Sequence, residues 1–480
     1  MQLQKPELLR AVPAWRVLRN FGRVLRDSSV NSRKLRALFL LSAKVPFIKE
    51  FWSHSWHGRQ SMKIWLLLML KNGLPAVCVG TFAAFLAAGL SYLEILPGWY
   101  KAPRIQSPGF SGEFRYSCWA LFSGVVASLL TLLLWRSGDR VFLDRVCIHQ
   151  GDDVLKAQAI LHLGAFLKSS KTLVVVWDAT YLSRLWCVFE LAAFLHSHKD
   201  DVQAKLVIKP IVVAPLMFIM MTGGVLSFAF ELILPSNGLV LIVQAVYTLG
   251  LSLLATYVQE HFWHEVFTAE QQFRAFRWQE VTCACCSTGH LTADGQRILC
   301  DRVILEQCIV QWFGSVEALE ALVRTSTRDT FLQQATRGFP FGYLWLLGGG
   351  SFILWGQADH VAARAHGGAH WHATSVLITT VAWFLWVSPS AYLVFGRIAR
   401  WMQKKQGAKL SAPSYCTVKF AGYSASVVST FLPSLWQWWL YSTLLDPVLA
   451  ALAFAGTSLV FAILAYGLFA NPQTQRNPSG

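Results

Sequence analysis

"KTLVVVWDATYLSRLWCVFELAAFL" (171–195) changes its period half-way along. Residues 171–178 hold Leu173, Val174, Val175, Val176 and Trp177 in an unbroken apolar run, the pattern of a strand buried on both faces. Residues 182–196 space their large apolar groups as a helix does, and Glu190 stands in the middle of them, between Phe189 and Leu191. A carboxylate among such groups costs several kcal/mol unless it is paired or neutralised. Glu190 is therefore a solvated helix residue, a buried structural partner or an active-site acid, and these alternatives stay open at this point.

The same rhythm extends in both directions. "RVFLDRVCI" (140–148) predicts another buried strand, "HQGDD" (149–153) a polar turn with Gly151, and 154–170 a helix on Leu155, Ile160, Leu163 and Leu167. "AKLVIKPIVV" (204–213) begins a third strand. Strand–helix–strand–helix at this spacing predicts a small parallel sheet of two or three strands within 136–210. Ligands of such sheets bind outside the carboxyl ends of the strands. His149, Gln150, Gly151, Asp152 and Trp186 lie at that edge and are the candidate ligand-binding residues beside Glu190.

The rest of the chain belongs to a bilayer. Of 480 residues 54% are hydrophobic and only 14% charged, against about a quarter in a soluble protein, and the mean hydropathy is +0.42. Eight apolar runs are candidate spans: about 74–96, 116–135, 211–234, 239–258, 340–356, 374–396, 418–440 and 446–470. A shorter apolar piece at 64–70 is a candidate interfacial segment. The expected fold class is thus mainly α, a polytopic helical membrane protein with a small inserted α/β domain.

The expected organisation is a basic amphipathic N-terminus (1–73), a transmembrane hairpin (74–135), the α/β segment (136–210), a second hairpin (211–258), a cysteine-containing helical segment (259–339), four spans (340–470) and a tail (471–480). Fourteen Lys and Arg fall in 1–71, ten in 136–210, seven in 259–338 and five in 397–409, which places these segments and both termini in the cytosol. The net charge of +16 is largely this bias, and no nucleic-acid partner is expected. "WRVLRNFGRVLR" (15–26) sets Arg16, Arg19, Arg23 and Arg26 on one stripe, suited to an anionic leaflet or, alternatively, to an organelle transit signal.

"FLDRVCIHQGD" followed by "FLKSSKTLVVVWDATYLSRLWCVFEL" resembles the second part of a Toll/interleukin-1 receptor-like (TIR) domain, and its first half is also similar to the heterokaryon-incompatibility domain. The likeness covers about 70 residues. The whole arrangement resembles multi-pass proteins of unicellular algae that carry the same half-domain. In TIR domains that cleave NAD, the Glu of the Trp-Cys-x-x-Glu-Leu box is catalytic, so the resemblance implies that role for Glu190, with NAD as cofactor and the 149–153 loop as its pocket. The family also begins with an earlier strand, Asp-x-Phe-(Ile/Leu)-Ser, expected before residue 140.

Seven of the ten cysteines fall in the predicted cytosolic segments, where thiols stay reduced and a disulfide framework is not expected. Cys283, Cys285, Cys286, His290 and Cys300 form a candidate zinc site, although adjacent Cys285 and Cys286 compete for one ion; buried free thiols or palmitoylated ones are the alternatives. On the other side, His360, His366, His370 and His372 lie in a stretch expected to be a polar loop. Three functions remain open: a membrane-anchored signalling module that self-associates or recruits proteins through the TIR-like segment, a transporter or channel with regulatory loops, and a NAD-cleaving hydrolase. Glu94, Glu231 and Lys419 sit near span ends, which favours anchors over a midplane pathway.

Overall fold

The computed structural model describes residues 3–26, 31–102, 114–199, 201, 205–233, 238–287, 289–290, 300–336, 342–406 and 411–470. The 235–237 turn, most of the 96–116 connection and the 471–480 tail of the sequence reading lie outside them. The chain divides into two units. One gathers Met1–Lys71, Arg136–Val213 and Glu265–Thr336; the other gathers Asn72–Trp135, Ala214–His264 and Arg337–Gly480.

Among the described residues eight strands form: β1 (Arg10–Pro13), β2 (Ala43–Lys44), β3 (Ile48–His54), β4 (Tyr100–Ala102), β5 (Phe114–Tyr116), β6 (Arg140–Phe142), β7 (Ser170–Trp177) and β8 (Leu206–Pro210). The first unit holds a six-stranded sheet in the order β2-β1-β6-β3-β7-β8. β6, β3, β7 and β8 run parallel, and β1 and β2 close one side antiparallel. The strands expected at 171–178 and 204–213 are present, but of the one expected at 140–148 only Arg140–Phe142 is strand, since Asp144–Cys147 turns into a short helix, and the sheet has six strands where two or three were expected. The addition comes from the N-terminus. β3 lies between β6 and β7, with Phe51 in register with Phe142 on one side and Leu173 on the other, and the Phe51 and Phe142 rings stack at 4.5 Å.

This gives the stretches 15–26 and 64–70, read as suited to a membrane surface, another place. Helix Ala14–Arg26 does carry the arginine stripe, but it breaks at Arg19–Gly22, where Asn20, Phe21 and Gly22 all take positive φ. Gly22 is required there, because a Cβ would come within 2.7 Å of the Ile64 side chain. Val17, Leu18, Val24 and Leu25 are buried, and the Phe21 ring meets Trp65 at 5.0 Å. Ile64, Leu66, Leu67, Leu68 and Met69, expected at a lipid interface, are likewise buried as core. The apolar face has found protein instead of lipid.

Residues 265–336 cover the other side of the sheet. Trp177 stacks on Phe273 at 4.8 Å and meets Phe331 at 5.4 Å, while Phe189 meets Trp312 at 5.3 Å. Gln334 accepts a hydrogen bond from Ile208 N (2.8 Å) and donates one to Leu206 O (2.5 Å), so one side chain satisfies the open edge of β8.

The second unit is helical apart from the β4–β5 ribbon. Among the described residues five helices are long and apolar enough to cross a membrane: Gln60–Tyr92, Val213–Ile233, Leu241–Arg274, His370–Gln406 and Pro447–Gly467. Eight spans were expected. Trp119–Leu134 has 16 residues, short of the roughly 20 a bilayer asks for. The 340–356 run is divided at Gly350 between Tyr343–Gly349 and Ser351–His366. Ala412–Thr443 is long enough, but hydroxyl, amide and indole groups recur along it. The expected polar loop at 359–372 is mostly helical: Asp359 is buried, accepting hydrogen bonds from Ser117 Oγ, Ala120 N and Leu121 N at the start of helix Trp119–Leu134.

Candidate functional site

Three parallel strands deliver their carboxyl ends to one place. β3 ends in Ser53-His54-Ser55, β6 runs into Leu143-Asp144, and β7 into Asp178-Ala179-Thr180-Tyr181. Helix Leu185–Ser197 then brings Glu190 over this edge. Every residue from Leu185 to Leu195 except Trp186 is buried. A helix covered on all sides has no solvated face to give its one acid, which excludes the solvated alternative for Glu190.

Glu190 meets a hydroxyl and no cation. Ser53 Oγ lies 2.5 Å from Glu190 Oε2 and 2.7 Å from the Tyr181 hydroxyl, which in turn donates to the Cys187 carbonyl at 3.3 Å. Burial pushes the Glu190 carboxyl up to about 8, and the Ser53 hydrogen bond offsets only part of that. Ser53 Oγ donates to Glu190 Oε2, and Tyr181 donates to the Cys187 carbonyl, so the three side chains form one chain of hydrogen bonds while burial holds Glu190 toward its neutral form. The same burial holds the Tyr181 hydroxyl and the Cys187 thiol well above their usual ranges.

A second network lies beside it. Lys63 and Asp178, 3% and 6% exposed, form an ion pair at 2.6 Å. Lys63 also donates to the carbonyls of Ser55 and His57 (2.7 Å to the latter), and Asp178 accepts from Thr180 N (2.9 Å) and Thr180 Oγ1 (2.5 Å). Thr180 Oγ1 reaches Ser55 Oγ at 2.8 Å. The loop after β3 therefore lies on the strand ends; at Gly58, with φ +91°, a Cβ would stand 2.9 Å from Asp178 Oδ2. Trp56 Nε1 donates to Asp144 Oδ2 at 3.0 Å. His54 Nε2 is buried without a hydrogen-bond partner, as is His149 Nδ1, and burial lowers the His54 ring to about 4.

The residues that the sequence grouped with Glu190 have other employment. Gln150 donates to the Asp144 carbonyl at 3.2 Å, and Asp152 caps helix Asp153–Leu161 by accepting from Leu155 N at 3.0 Å. The His149 ring packs on Phe39 at 4.7 Å, and Gly151 is exposed in the turn. Trp186 is turned toward the cysteine segment, with Nε1 3.3 Å from Asp301 Oδ2. The partners actually found, Ser53, Lys63, Asp178 and Tyr181, went unread. Ser53 stands 137 positions before Glu190, and its one trace was the polar punctuation of "FWSHSWHGR" (51–59).

Cys285, Cys286, His290 and Cys300 place one ligand atom each within 4.8 Å of one another, and Cys283 forms a second group with Cys285 and Asp301. All ten cysteines are free thiols. In the helical unit a cavity of about 630 Å³ is lined by Glu231, Gln244, Gln357, Arg364, Thr380 and Ser434 among others, beside the π-helical turn Trp383–Val387. Glu231 stands 3.3 Å from His360, so one acid near a span end has a partner. Comparison with protein-family models, with curated proteins and with solved structures found no match for the chain.

Proposed function

We propose that the protein is a multi-pass, membrane-anchored signalling or protein-interaction module whose cytosolic part is the TIR-like α/β unit. The observation that carries this reading is the occupied carboxyl edge of the sheet. Where a nucleotide would lie, the chain's own Ser53–Tyr181–Glu190 and Lys63–Asp178–Thr180 networks fill the space with partnered groups. A buried, neutral carboxyl is suited to holding a fold and poorly suited to stabilising a developing cation.

Two further features support the family likeness and the topology. The earlier strand that a TIR-like domain requires has a counterpart in Glu50-Phe51-Trp52-Ser53 of β3, which pairs with β6 and β7. The first unit is assembled from three chain segments, and one folded unit cannot straddle a bilayer. The two intervening segments must then each cross an even number of times. On this reading Trp119–Leu134 is taken as a span despite its 16 residues, which the Lys and Arg bias supports. For a docking surface, Val154 and Leu161 lie seven residues apart on one face of helix Asp153–Leu161, 67% and 75% exposed.

The test pairs two measurements on the purified full-length protein. Nicotinamide release from NAD is expected in neither wild type nor Glu190→Gln; release by wild type alone replaces this reading with the hydrolase. Chemical crosslinking in native membranes is expected to give oligomers that a Val154→Glu, Leu161→Glu double variant loses. Identical patterns for the two proteins sink the docking face.

A second reading, a carrier, is favoured by the cavity in the helical unit. Glu231, Arg364 and several hydroxyls and amides line it, and such groups between apolar helices are costly unless they face water or a substrate. Labelling of a cysteine placed at Ser434 by a charged thiol reagent separates an aqueous route from a lipid-filled cleft.

A further inference from the structure

The turn that follows Trp278-Gln279-Glu280 is built around sulfur. Cys285 and Cys286 sit in the one-turn helix Ala284–Ser287, and the chain then doubles back so that His290 N bonds the Cys285 carbonyl at 2.9 Å. The return requires positive φ at Gly289 (+65°) and at His290 (+59°). For a residue with a Cβ that conformation costs on the order of 1 kcal/mol and persists only where its surroundings hold it. It delivers the imidazole to the thiols of Cys285 and Cys286 and to that of Cys300, which arrives at the head of helix Asp301–Phe313. His290 Nε2 is buried without a hydrogen-bond partner.

We infer that Cys285, Cys286, His290 and Cys300 bind one zinc ion. Four ligand atoms of the types zinc prefers lie within 4.8 Å of one another, close enough to converge on one ion with small side-chain shifts. With Zn–S bonds of about 2.3 Å, two thiolates of one tetrahedron lie about 3.8 Å apart. Cys286 Sγ and Cys300 Sγ stand at 3.6 Å, which matches that edge and exceeds any S–S bond. The adjacency of Cys285 and Cys286 is no obstacle here, since the short helix lets both sulfurs reach the same centre. Cys283 stands behind the site, its sulfur 3.1 Å from that of Cys285 and 3.6 Å from Asp301 Oδ2. Each bound thiol releases its proton to solvent, and the ion is neither oxidised nor reduced.

The site fastens the third chain segment to the Glu190 helix. Thr282, just before the cysteines, accepts from Leu185 N (3.1 Å) and donates its own N–H and hydroxyl to the Ser183 carbonyl (2.7 Å each). Asp301, next to Cys300, accepts from Trp186 Nε1. Zinc bound by Cys285, Cys286, His290 and Cys300 closes a clasp whose two arms both grip the first turn of that helix.

The experiment uses the full chain, purified in detergent from a zinc-supplemented host through a tag that contains no histidine. Elemental analysis is expected to find about one zinc per chain, falling by more than half in Cys300→Ser and in His290→Ala and unchanged in Cys308→Ser. Because a ligand variant can fail to fold, wild-type protein is also exchanged with cobalt, which is expected to give the intense visible bands of a tetrahedral thiolate site. Less than about 0.2 metal per chain with no such bands, or a Cys286–Cys300 disulfide found by mass spectrometry in the metal-free protein, overturns the site.

Discussion

The carboxyl edge of the sheet and the cluster of Cys283, Cys285, Cys286, His290 and Cys300 are both polar clusters gripping the same helix, and they complete themselves in opposite ways. At the edge, hydroxyls, a lysine and two carboxyl groups supply one another with donors and acceptors: Ser53 with Glu190 and Tyr181, Lys63 with Asp178. At the turn, the converging groups are thiols and an imidazole, poor hydrogen-bond partners for one another and good ligands for a soft cation. The first cluster holds together as it stands; the second is held by what it binds. The sequence motif that points to catalysis thus lies in the self-sufficient cluster, and the one without a standard spacing lies in the cluster that asks for a ligand.

The largest effect expected at the edge comes from its ion pair. Lys63→Met leaves Asp178 buried and uncompensated, a loss of about 3–5 kcal/mol. Cys187, buried on the Glu190 helix, reports this directly, because its alkylation requires the unit to open. At 1.4 kcal/mol per tenfold change, labelling read by mass spectrometry should accelerate at least about a hundredfold. Lys63→Met with Asp178→Asn should recover part of the loss. Acceleration below tenfold in the single variant means that the edge does not lock the unit.

Much of the α/β unit was legible because its local periods are strong. The run at 171–178 is too apolar and too short for anything but a buried strand, and the 182–196 helix follows with a change of period, whereas the run at 140–148 hid the switch from strand to helical turn at Asp144. β3 was not legible for a physical reason: its sequence, "IKEFWSH", mixes a lysine, an acid and a histidine into a strand that is central in the sheet. Glu50 is tolerated there because Lys71 and the Trp52 indole partner it, and neither partnership can be read without the fold. The strand also lies 85 residues before β6, so no local pattern links them. The zinc-type ligands were legible as residues but not as a site, since the spacing matches no standard finger and the left-handed His290 makes the geometry work.

Glu190 sharpens the comparison through pH. Its carboxyl is held near 8, so the folded chain keeps a proton that the unfolded chain releases above about 4.5, and stability falls as pH rises between those values. His54, held near 4 by burial, acts with the opposite sign: the unfolded chain takes up its proton first, and stability is gained as pH rises from about 4 to 6.5. The two slopes oppose each other up to about 6.5, and above it only Glu190 of the two still acts. From pH 6.5 to 8 the wild type should lose about 1.6 kcal/mol relative to Glu190→Gln. The ratio of their Cys187 alkylation rates, taken at equal pH so that thiol reactivity cancels, should rise about fifteenfold across that interval. A constant ratio means that Glu190 is already ionised.

The smallest effect tests how the clasp grips the helix. Trp186 reaches Asp301 with one indole N–H at 3.3 Å, a long bond, while Thr282 holds Ser183 and Leu185 with three bonds of 2.7–3.1 Å. Trp186→Phe keeps an aromatic ring for the edge contact with Phe189 at 5.9 Å and removes only the donor. A single hydrogen bond to a charged group is worth about 1.5–3 kcal/mol when short and well placed, and a long, half-buried one less, so about 1 kcal/mol is expected. Alkylation of Cys187 should then rise about fivefold, with zinc content unchanged, because Asp301 stands outside the four ligands. If zinc is lost along with the indole donor, Asp301 has moved from bystander to positioning residue, and the grip on the helix runs through Trp186 as well as through Thr282.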